Sequence, residues 1–66
     1  MFTKLKLEMA RKHVSIRKLA QMTEISYYTL LKKMSKRTEF TVREAQTIKS
    51  ALKSETPIDV LFTWED

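Results

Sequence analysis

Tyr28, Leu31, Lys32 and Ser35 recur at i, i+3, i+4 and i+7, the spacing that sets four side chains on one face of a helix. Tyr28 offers a hydroxyl and a ring edge, Lys32 a cationic donor, and Leu31 an apolar surface. A lysine can donate to guanine O6 and N7 or to a phosphate, and an apolar side chain can meet a thymine methyl group. Leu30 and Met34, an i, i+4 pair in the same segment, fall on the opposite side and suit a core. Tyr27 has two readings, as a member of the outward face or as a cover for the edge of the core. Leu31 likewise reads as a base contact or as an ordinary surface leucine.

The elements that must hold this stripe are legible from their end signals. Ser15 is a helix N-cap residue before a segment Ile16 to Met22, whose inner face is Leu19 and Ala20. Thr23-Glu24-Ile25 reads as a tight turn with Ile25 inward. Ser26 then caps a helix running to about Met34 or Ser35. Before this pair, Phe2, Leu5 and Met9 predict a helix over Phe2 to Lys12, with His13-Val14 as its exit turn. After it comes the charged loop Lys36-Arg37-Thr38-Glu39. Thr41 and Glu44 make a capping box, with Phe40 as the outer half of a hydrophobic staple reaching Ala45. That helix is expected to run to Leu52 with Val42, Ala45, Ile48 and Leu52 inward. Thr56-Pro57, an N-cap residue followed by proline at the first helical position, opens a last helix to about Thr63 that buries Ile58, Leu61 and Phe62. Five short helices with brief loops predict an all-α bundle.

Bulk properties narrow the partner. Sixty-six residues form one domain, 1–66, with a small core. There is no cysteine and a single histidine, so a thiolate or zinc site is not expected. His13 reads as a turn residue. No convergent nucleophile, base or phosphate loop is present, so we expect no enzyme activity, cofactor or small-molecule substrate. No apolar run reaches about 18 residues, and the cations are spread over several helices, which argues against a membrane partner. Net charge is +5 and the pI is about 9.8. The charge is uneven: residues 1–37 hold ten Lys/Arg against two Asp/Glu, and residues 38–66 hold three against six. The basic half contains the braced helix pair, and basic charge there suits the phosphates of nucleic acid. The chain has no glycine, so helix ends that need left-handed backbone must use other residues.

Taken together, Leu5, Ser15 with Leu19-Ala20, Ile25-Ser26, Leu30, the Ala45, Ile48, Leu52 helix and the closing Leu61-Phe62 resemble the phage Cro/repressor type of helix-turn-helix domain, also called the XRE family. The resemblance covers about residues 2 to 63. It implies a compact five-helix bundle with a helix-turn-helix formed by helices 2 and 3, and a third helix lying in the major groove of double-stranded DNA. Carried over by position, Tyr27, Tyr28, Leu31 and Lys32 would read bases. Ser15, Arg17, Lys18, Ser26, Ser35, Lys36 and Arg37 would contact the DNA backbone, although Lys36 and Arg37 also read as a solvated loop. The family usually has glycine in the turn and often in the loops after the first and third helices, where this chain has Glu24, His13 and Lys36. Glutamate in left-handed backbone costs roughly 1 kcal/mol, so a slightly remodelled turn is expected at Glu24, whereas His13 is of a type that tolerates positive φ better than most residues. Many members carry a buried Arg–Glu pair where this chain has Met9 and Met34, an apolar replacement that good packing can make neutral or stabilising.

The reading implied is a transcriptional regulator, a small phage or prophage repressor acting in the cytoplasm of a bacterial host, at the nucleoid. With no segment after the fifth helix for a separate oligomerising domain, a homodimer is expected to use the domain itself, with Phe62 and Trp64 as candidate interface residues. Trp64 reads either as that anchor or as a lid on the core. The alternative is a protein-interaction module of the same fold, antitoxin- or antirepressor-like, that binds DNA weakly or not at all.

Overall fold

Every helix of the computed structural model, which describes residues 1–66, contributes one fully buried aliphatic side chain. The helices are α1 (Thr3–Arg11), α2 (Ile16–Thr23), α3 (Tyr27–Met34), α4 (Val42–Leu52) and α5 (Ile58–Leu61), and there are no strands. Leu5, Leu19, Leu30, Ile48 and Leu61 meet at the centre, one from each. Phe2, Met9, Ala20, Met34 and Leu52 complete the core cluster. Met9 and Met34 are both buried in it, so this core holds no ion pair. Phe2, Phe40, Phe62 and Trp64 form a second layer of edge-to-face rings, with Phe2 at 5.4 Å from Phe40 and 5.1 Å from Trp64. Trp64 therefore serves as a lid on the core.

The caps that fix α2 and α4 form as their sequence signals require. Ser15 Oγ accepts from the Lys18 N–H at 3.0 Å. Thr41 Oγ1 accepts from the Glu44 N–H at 3.1 Å, and the Glu44 carboxylate accepts from the Thr41 N–H at 2.9 Å. The same carboxylate pairs with Lys33, which ties α3 to α4.

Several expectations need correction. Val42 is 71% exposed. It stands about 90° round the helix from the line through Ala45, Ile48 and Leu52, in a first turn that overhangs the core. Thr23 belongs to α2, not to the turn, and is buried with its hydroxyl donating to Leu19 O at 2.7 Å. Ser26 occupies the N-cap position of α3 but its side chain makes no capping bond. Helix α5 spans only Ile58–Leu61, with Pro57 as its N-cap residue. Thr56 lies one residue before that N-cap position, and its hydroxyl donates to the Glu8 carboxylate on α1. Leu61 is buried, while Ile58 and Phe62 are half-buried.

Four non-glycine residues have positive φ, His13 (56°), Glu24 (59°), Lys36 (64°) and Lys53 (53°), each just past a helix. Three close with the paired bonds of a Schellman motif, Val14 N–H to Met9 O at 2.8 Å, Arg37 N–H to Lys32 O at 2.9 Å and Ser54 N–H to Lys49 O at 3.1 Å. The left-handed region costs a residue with a Cβ roughly 1–2 kcal/mol, and a glycine returns about 0.4–1 kcal/mol of that through its looser unfolded chain. Glu24→Gly with Lys53→Gly is therefore expected to stabilise the fold by about 1–2 kcal/mol in total, a melting temperature higher by roughly 4–8 °C per kcal/mol. A lower melting temperature for the double variant would contradict the backbone geometry described for those ends.

Two carboxylates ionise more readily than usual. Hydrogen bonds from Thr56 and Ser54, then the charges of Lys12 and Arg11, hold Glu8 below its ordinary value of 4.5. Lys33 and the Thr41 backbone do the same for Glu44. A lowered folded-state pKa stabilises the fold fully above the unfolded value and is lost as pH falls through the folded one. Thermal melts should therefore hold steady down to about pH 5 and fall below it. Glu44→Gln should lower the plateau and flatten that fall, and an unchanged acid slope would remove Glu44 from the account.

Candidate nucleic-acid interface

Helix α2 packs on α3 across the Glu24 turn, and this fixes which side of α3 faces out. Leu30 and Met34 are buried beneath it, and Ile25 packs against the same core. Tyr28, 73% exposed, projects from the other side. Tyr28, Leu31, Lys32, Ser35 and Arg37 line one open hollow on that side. All four members of the stripe are thus brought together, and Arg37 from the following loop joins them. Leu31 is half-buried and lines the hollow beside Lys32 and Arg37, both exposed. A lone surface leucine is common; here it shares a concavity with two cations.

Tyr27 does not share this face freely. Its ring is half-buried against the core, stands edge-to-face with Tyr28 at 5.5 Å, and lies under the Arg17 guanidinium at 4.6 Å. Arg17 is thereby held from the first turn of α2 to the first turn of α3 by a cation–π contact. Sequence reasoning missed this pair. The two residues are ten positions apart, and only the angle at which the turn sets the helices brings them together. Arg17 and Lys18 follow Ser15 at the start of α2, where backbone N–H groups have no intrahelical acceptor and favour an anion.

The remaining backbone candidates differ in what they have free. Ser26 is exposed and its hydroxyl is uncommitted. Ser35 already donates to Leu31 O and Lys32 O, each at 3.0 Å, so its oxygen can accept but its hydrogen is engaged. Lys36 Nζ lies 5.2 Å from the Trp64 ring centre, which leaves the ammonium at the surface but gives it a resting place. Other cations serve the fold. Lys12 donates to Leu52 O at 2.6 Å at the end of α4, Lys49 to Ser54 O at 2.7 Å, and Lys33 pairs with Glu44. None of these three is in the stripe. No group of His, Cys, Asp or Glu is arranged to hold a metal ion. No helix is long and apolar enough to cross a membrane. Comparison with protein-family models, curated proteins and solved structures gives no match to this chain.

Proposed function

We propose that this chain is a sequence-specific DNA-binding transcriptional regulator of the Cro-repressor kind, working in the cytoplasm of a bacterial host. The observation that carries the reading is the outward hollow of α3, lined by Leu31, Tyr28, Lys32 and Arg37, on a helix whose other side is locked into the core. In this reading α3 enters the major groove. Tyr28, Leu31 and Lys32 meet base edges, and Tyr27 acts chiefly as the platform for Arg17. Arg17, Lys18, Ser26, Lys36 and Arg37 grip phosphates on either side and set the register without carrying sequence information.

Selection of binding sites from a random duplex library tests this directly. A consensus is expected, and the arrangement of the half-sites recovered reports the symmetry of the bound form. With about four to six phosphates neutralised per chain, affinity should fall by roughly 10²- to 10³-fold between about 50 and 200 mM salt. Recovery of no consensus, together with no salt-sensitive binding to any duplex, would reject the reading in favour of a module that binds protein only.

A further inference from the structure

We infer that this chain associates head to tail with a second copy of itself, Leu7 of one copy seating in an aromatic cleft of the next. The cleft lies between the start of α1, the start of α4 and α5. Phe2, Phe40 and Phe62 wall it, Val42 stands at its mouth, and its only charged lining residues are two exposed carboxylates, Glu39 and Asp59. Neither carboxylate has an ion-pair partner in the chain. The occupant must therefore bring an apolar group with positive charge beside it. At about 220 Å³ the cleft is smaller than the roughly 300–1,000 Å³ of small-molecule sites, and its size suits one side chain.

The same chain presents that group. Leu7 is 48% exposed on the outer face of α1. Lys4 and Arg11, at i−3 and i+4, are its neighbours on that face, and both are exposed. An apolar knob between two cations thus matches an apolar cleft between two carboxylates. Leu7 is about 140° round α1 from Phe2, which lines the cleft, so one copy cannot seat its own knob. The contact joins two different surfaces, and such a contact propagates in one direction unless it closes into a ring. It leaves the outward stripe of α3 free. On DNA it would favour half-sites repeated in the same orientation. Because the contact is measurable without DNA, its fate is separate from that of the DNA-binding reading.

Sedimentation equilibrium of the whole chain, without DNA, tests the inference with two variants at exposed positions, Leu7→Glu and Val42→Lys. The unaltered chain should show an average mass that climbs with concentration past that of two copies, and the climb should weaken with added salt. Each variant alone should stay at the mass of one chain. Mixed in equal amounts, they should form pairs and stop there, because the Leu7→Glu copy keeps its cleft and the Val42→Lys copy keeps its knob. A strictly monomeric unaltered chain, association that survives in either variant alone, or a mixture that stays monomeric would each overturn the proposal. Circular dichroism of both variants establishes that they remain folded.

Discussion

Leu30→Ala is expected to leave the chain largely unfolded near room temperature. Leu30 is fully buried at the point where α3 meets the other helices, and it shares the centre with one residue from each of them. Truncating such a leucine removes its transfer energy and leaves a cavity, about 2–5 kcal/mol together. A core of this size supplies only about 3–5 kcal/mol of net stability. The chain has no disulfide to fall back on, and its one side-chain ion pair, Lys33–Glu44, lies partly in solvent. The substitution therefore takes most of what there is. Far-UV circular dichroism should lose its helical signal, and urea titration should show little or no native baseline. Leu30→Met, which keeps the volume, should cost less than about 1.5 kcal/mol and remain folded. A Leu30→Ala chain that melts like the unaltered one would mean that α3 is not anchored by this residue. The outward stripe would then lose the support on which the site depends.

The core was legible because it obeys helical spacing. Leu5 and Met9, Leu19 and Ala20, Leu30 and Met34, and Ala45, Ile48 and Leu52 are all buried, and each set could be read from period alone. The capping signals at Ser15 and Thr41 were equally direct, since each acts within three residues. What failed was set by contacts between distant residues. Thr56 had the form of a helix cap, yet Pro57 takes the N-cap place and the Thr56 hydroxyl turns to Glu8, forty-eight positions away. Val42 had the right type and near enough the right spacing, but a first-turn residue can overhang a core that ends below it. The resemblance marked His13, Glu24 and Lys36 as places where glycine is usual, but the turn at Glu24, expected to be remodelled, keeps left-handed backbone instead. Lys53 carried no such cue, and its conformation follows from how α4 ends. At the site, the stripe of α3 was readable and the Arg17–Tyr27 stack was not, because the first is local geometry and the second depends on the angle between two helices.

That division bears on the sharpest test of the DNA-binding reading, which separates side chains that specify from those that only hold. Tyr28 and Lys32 are exposed and make no side-chain hydrogen bond or ion pair, and the one ring contact of Tyr28 is with Tyr27 at the edge of the core. Tyr28→Ala and Lys32→Ala should therefore leave the melting temperature nearly unchanged and each weaken binding to the selected site by about 1–3 kcal/mol, roughly 5- to 150-fold. Binding to random duplex should change little for Tyr28→Ala, whose side chain brings no charge, and modestly for Lys32→Ala. Arg37→Ala should behave differently. Its guanidinium edges the same hollow but comes from the loop, where a phosphate contact is the expected use. It should weaken selected and random duplexes alike and reduce the slope of log affinity against log salt by about one. The measurement is a titration of each variant against both duplexes at several salt concentrations. Equal losses on both duplexes for Tyr28→Ala and Lys32→Ala would strip the stripe of its base-reading role. A loss confined to the selected site for Arg37→Ala would move that residue from the phosphate line into the groove, beside Leu31.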